Sequence, residues 1–269
     1  MKKISLAFVA LIAFVSVTTA QSYKRIFYKD LTIETSDIKI VVNDAVSTPA
    51  GLKFRLHIFN KTDKYIVYKP SESVFKIGGK DYNPDEKWMI IRPNDDESQT
   101  IDLKGANYMV TDKFDVVMSG LYTFSTDVKS VNTPDFKLPP AQNDIKAGGF
   151  NISLVKNKKT TARTDATFTA NYVGDKIGVF EPNKVAMKMA DGKEYANYHS
   201  DKKPIVFAKG QTNDFQVAWK DVPSSSGDMQ KDEMTIIWRD AFKEITPDKM
   251  LPQTLTIMFD QETTQAKNK

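Results

Sequence analysis

The chain has 269 residues, with 38 Lys and Arg against 34 Asp and Glu, two histidines and no cysteine. The lack of cysteine excludes a lipid anchor on a thiol and a disulfide framework, so stability must come from core burial. Basic and acidic residues alternate without a basic block, which excludes a nucleic-acid footprint.

Residues 1–20, MKKISLAFVALIAFVSVTTA, read as a secretory signal peptide. Lys2 and Lys3 form the positive start, residues 4–15 an apolar core, and Thr18-Thr19-Ala20 a small-residue cleavage site. The apolar run is well short of the roughly 20 residues that a spanning helix needs. No later segment is apolar enough to span either. The mature chain is expected to be exported to the periplasm, the cell surface or the medium, and not to be a lipoprotein or membrane-spanning. A lysine-rich start and a cysteine-free body fit a bacterial exported protein.

Downstream, LKFRLHI at 52–58 alternates apolar and polar residues, the period of a half-buried strand. The stretch DKYIVYKPSESVFKIGGKDY from Asp63 then returns, with one residue inserted, as DKIGVFEPNKVAMKMADGKEY from Asp175. Eight positions are identical, among them Val67/Val179, Pro70/Pro182, Gly79/Gly192 and Tyr82/Tyr195. Chance would give roughly one. ATFTANY at 166–172 answers LKFRLHI, and Phe215, Val217 and Trp219 answer Ile101 and Leu103. This is a tandem duplication of an all-β unit.

Asp191-Gly192 and Gly78-Gly79 mark equivalent hairpins, and Asp-Gly suits a two-residue type I′ turn. Pro70 and Pro182 should end or edge a strand. Residues 126–143, with Pro134, Pro139 and Pro140, read as a semi-extended linker. Met234, Ile236 and Trp238, then Leu255, Ile257 and Phe259, alternate as further strands of the second copy. Helix candidates are short, at 239–245 and after Pro247. The expected organisation is 22–126 as the first domain, 127–143 as linker, 144–262 as the second domain, and 263–269 as a fraying tail.

The strand ending in Asn60-Lys-Thr-Asp-Lys64, followed by a hydrophobic stretch and Gly-Lys-x-Tyr, resembles bacterial extracellular immunoglobulin-like domains. It is similar in particular to the telokin-like immunoprotective extracellular class. Domain 2 departs from the pattern, with Gly174-Asp-Lys176 at the turn. The likeness spans about 50 residues of each copy. It implies two tandem immunoglobulin-like antiparallel β-sandwich domains with a binding or architectural role, and it carries over no catalytic residues.

The inventory for chemistry is thin. His57 falls on the polar face of its strand, and His199-Ser200-Asp201 are chain neighbours, which is not how a catalytic triad is assembled. Two separated histidines do not make a zinc site. The oxygen-rich loop with Asp95, Asp96 and Glu97 is a calcium candidate without the spacing of a calcium loop. No cofactor is implied. Gly78-Gly79-Lys80 lacks the Walker pattern.

Trp219 and Trp238 fall on apolar parity and belong to the core. Trp88, aligned opposite Lys203, should be partly exposed, with Tyr82 and Arg92 nearby as contact residues. Two long loops are expected, at 221–232 and 239–253. The second carries Phe242 and Met250 and must pack on a sheet edge, a partner or the first copy. The function expected is non-catalytic binding or architecture in the cell envelope or at the surface, through contacts with an envelope or extracellular protein. The alternative is a glycan bound on an aromatic platform, with a secreted hydrolase third.

Overall fold

A computed structural model describes residues 23–105, 107–199, 201–223 and 226–269. The expected leader lies outside the described residues. No helix among them is long and apolar enough to cross a membrane. The protein is mostly β, built from antiparallel sheets, with one short helix.

LKFRLHI lies in the strand Gly51–Asn60, which turns Leu52, Phe54, Leu56 and Ile58 inward and Lys53 and Arg55 outward. It pairs with Ile38–Thr48 on one side and Asp96–Lys104 on the other. The second repeat builds the same triplet. Arg163–Tyr172, with Ala166, Phe168, Ala170 and Tyr172 inward, lies between Phe150–Lys159 and Thr212–Lys220.

The remaining strands of each repeat are broken midway. Tyr65–Tyr68 and Val74–Ile77 are separated by a 3-10 turn at Pro70–Glu72, and Ile177–Phe180 and Ala186–Met189 by one at Pro182–Lys184. Each proline opens its turn, where a missing N–H removes no ladder bond. The neighbouring strand breaks at the same level, between Lys113–Met118 and Leu121–Phe124. There Gly120 passes so close to Lys69 that a Cβ would stand 2.1 Å from the Lys69 carbonyl oxygen. The hairpins differ by the inserted residue. Gly78 and Gly79 both take positive φ, joining Ile77 directly to Lys80. In the second repeat only Gly192 does so, and Met189 bonds to Lys193 across a wider loop, so the expected two-residue turn belongs to the first repeat alone.

The last strand of each repeat joins the other repeat. Gln253–Met258 pairs with Lys113–Met118, with Leu255 opposite Val116. Phe136–Leu138 pairs with Met234–Ile237, with Phe136 opposite Ile236. The crossings match in detail: Met250 N–H donates to Leu121 O and Val131 N–H to Phe242 O, both at 2.9 Å. Leu255 and Ile257 therefore belong to the first apolar core, with Phe54, Phe75 and Phe114. Phe136 and Leu138 belong to the second, with Phe168, Phe180 and Trp238.

Several expectations change accordingly. Phe136–Leu138 is a strand inside the stretch expected to be a linker. The segment 239–253 is neither helix nor loop but the strand Phe242–Ile245 followed by the crossing, with Asp248–Lys249 paired to Leu121–Phe124. Its first half stays in the second repeat, paired with Ile177–Phe180, and only the part from Asp248 onward takes the first repeat. The tail expected to fray is a helix, α1 (Gln261–Lys267), because Asp260 caps it by accepting from Thr263 N–H. Thr264 and Asn268 then tie it to the backbone of residues 24–27.

The repeated octapeptide has its own place. All four residues of Tyr65–Tyr68, and all four of Ile177–Phe180, are buried. Ile66 and Tyr68 face the first core, and Phe180 faces the second. Tyr65, Val67, Ile177 and Val179 form a third cluster with Phe124 and Ile245, in which strands of both repeats meet. Six buried side chains of this size contribute on the order of 10 kcal/mol gross, an upper bound given residual burial in the unfolded chain.

Candidate functional site

Where the repeats meet at the third cluster, a cleft of ≈ 510 Å³ opens to solvent. Its apolar lining is Ile90 from one edge strand, Ile205 and Val206 from the other, and Pro204 just before it, with Asn213 beside them. Its rim is cationic, with Arg92 from the first repeat and Lys202 and Lys203 from the second. Asp95 is the acidic partner seen at this rim. The same Asp95 oxygen, Oδ2, lies 3.8 Å from Arg92 and 3.9 Å from Lys203, so the repeats are also joined by an ion pair. Tyr65 lines the cleft as well. Burial raises its hydroxyl above the ordinary tyrosine value, against the opposing pull of Arg92, so it remains a donor at neutral pH.

Arg92 is held in this position by Asn60. That buried side chain donates to the Lys64 and Arg92 carbonyls and accepts from Thr62 N–H, locking the Asn60-Lys-Thr-Asp-Lys64 turn onto the end of Met89–Ile91.

Trp88 is half-buried at the margin of the third cluster. Its ring is not free: Lys69 Nζ lies 4.3 Å from the Trp88 centroid and 4.5 Å from that of Tyr122. Glu72 completes the group, pairing with Lys69 at 3.4 Å and accepting from the Tyr122 hydroxyl. That hydrogen bond, reinforced by burial, pushes Tyr122 up to about 12. The strand pairings align Trp88 with Pro204 rather than Lys203, because Met89 and Ile205 both face the last residue of the repeated strand.

The other sequence candidates are scattered. Tyr82 packs edge-to-face on Tyr108 at 4.8 Å, beside the first core. Phe242 is fully buried in the second core, and Met250 packs against the first; neither joins the cleft. Among the calcium candidates, Asp95 is engaged by cations and Asp96 pairs with His57 at 2.5 Å, while Glu97 is exposed on the next strand position. Among the described residues, no group of three His, Asp or Glu side chains is placed to hold a metal ion. Trp219 and Trp238 are buried, as their parity requires.

Sequence reasoning therefore found Arg92 but missed Tyr65, Lys202 and Lys203 as its neighbours. Nothing in local spacing joins them; the one available signal was the loss of alternation in YIVY, which marks a strand buried on both faces. No protein-family model matches the chain, and no curated protein matches it.

Proposed function

We propose that this is an exported, non-catalytic binding or architectural protein of the bacterial envelope or surface. In this reading it consists of two immunoglobulin-like β-sandwiches that exchange their last strands, and it acts through contacts with another protein. The observation that carries the reading is the junction: exchanged strands, the third cluster and the Lys203–Asp95 pair all fix the repeats against each other. A cleft lined by both repeats is thereby preorganised, and little ordering cost is paid on binding. Against the glycan alternative, the one aromatic platform suggested by sequence is covered by Lys69.

The reading is tested with a photo-crosslinking residue placed at Lys202, in the cleft, or at Glu262, on α1, in the source bacterium. The expected result is a single envelope or extracellular protein captured from position 202 and absent from position 262. Turnover of a hydrolase substrate by the purified protein, abolished by one carboxylate substitution, would overturn it.

A further inference from the structure

We infer that the junction cleft receives an acidic, aliphatic segment of a partner protein, lying extended with a carboxylate at Arg92 and Lys203. The inference rests on the binding reading above and names the chemistry of its partner. Three cations stand at the rim, and among the described residues the carboxylate that pairs with two of them, Arg92 and Lys203, is that of Asp95. That carboxylate is shared at 3.8 and 3.9 Å, beyond the 2.7–2.9 Å of a charge-assisted hydrogen bond, so neither cation is saturated by it. Lys203 and Arg92 keep side-chain exposures of 63% and 41%, which leaves their donors open to an incoming anion.

The apolar lining defines the rest of the ligand. Ile90, Pro204, Ile205 and Val206 are aliphatic and match aliphatic side chains, while the aromatic ring in the lining, Tyr65, is buried and stacked on Phe124 at 5.2 Å rather than laid open to a sugar ring. The two strands that border the cleft, Met89–Ile91 and Ile205–Phe207, are each the outermost strand of their sheet. An outermost strand has a row of backbone groups with no ladder partner, the template on which an extended peptide adds. A segment lying along such an edge alternates its side chains, putting aliphatic residues on the apolar lining and acidic ones at the rim.

The test measures fluorescence polarisation of a labelled, end-blocked octapeptide alternating Glu and Val, with the Lys/Val octapeptide and oligogalacturonate as comparisons. The Glu/Val peptide is expected to bind, and to bind more weakly as salt rises from about 0.05 M to about 0.5 M. Lys202→Glu and Arg92→Glu should each weaken it about tenfold, without affecting urea unfolding for the exposed Lys202. Equal binding of the Lys/Val peptide, insensitivity to both substitutions, or binding of oligogalacturonate in place of the peptide would overturn the inference. If no peptide binds while position 202 still captures a protein, the acidic chemistry is wrong and the binding reading stands. If neither occurs, both fall.

Discussion

Lys243 and Glu181 occupy the positions that Tyr122 and Lys69 hold in the first repeat, since Lys243 faces Val179 as Tyr122 faces Val67. In the first repeat an ammonium is satisfied by two rings and a glutamate; in the second, by a direct ion pair at 2.6 Å. Both members of that pair are nearly inaccessible, at 8% and 9% side-chain exposure, and Lys243 Nζ also donates to Thr126 O on the crossing segment. Lys243→Met strands the Glu181 carboxylate and should cost about 3–5 kcal/mol in urea unfolding. Adding Glu181→Leu should return most of that loss, because two apolar groups need no partners. A single-variant cost below about 1 kcal/mol would mean that water reaches the pair. At this scale the sequence was only partly legible. Trp88 is half-buried, as expected, although the alignment with Lys203 behind that expectation was one residue off, and the ammonium that covers its ring comes from a strand end 19 residues earlier. The same positions are Lys and Tyr in one repeat and Glu and Lys in the other, so aligning the copies could not reveal the shared pairing.

Among the elements, legibility followed length and alternation. The long central strands were plain in LKFRLHI and ATFTANY, where each inward side chain has an outward neighbour. Phe136–Leu138 was not, because three residues between Pro134 and Pro139 show no period, and the prolines spoke for a linker. Helix α1 was missed for the opposite reason: QETTQAK has no apolar stripe, and its order comes from the Asp260 cap and from hydrogen bonds to residues far away in the chain. The cap makes the helix acid-sensitive. Backbone and side-chain hydrogen bonds from Thr263 hold the Asp260 carboxyl below its ordinary value. Its contribution is therefore complete above the unfolded value of about 3.9, and is lost as pH falls through the lower folded value. Amide exchange in α1 should accelerate on acidification before exchange in Gly51–Asn60 does. Asp260→Ala should remove that pH dependence and cost about 1 kcal/mol of helix protection at neutral pH. Unchanged α1 exchange in the variant would show that Thr264 and Asn268 alone hold the helix.

For the whole molecule, the exchange of last strands decides what can fold alone. Each repeat encodes a complete set of strands, yet the connection after its penultimate strand leads away from its own core. After Phe242–Ile245 only Thr246 and Pro247 precede Asp248, which is already paired in the first repeat. The connection does not reverse to bring the strand home, because Asp248 is already held opposite Thr123. Removing residues 246–269 takes Leu255 and Ile257 from the first core and leaves Lys113–Met118 as a bare edge, at a cost of several kcal/mol for the two side chains alone. A fragment of residues 23–143 has the same problem and carries its own solution. Its strand Phe136–Leu138 occupies the sequence position of Gln253–Met258, and a second copy of the fragment offers the vacant edge. Residues 23–143 alone should therefore form a twofold dimer by exchanging residues 126–138, in the manner of domain-swapped proteins. Mixed with residues 144–269, they should form a one-to-one complex with the two cores of the intact chain. Light scattering on each fragment and on the mixture checks this. A monomeric, cooperatively unfolding 23–143 would mean that the crossing is an option of the intact chain rather than a requirement of its connections.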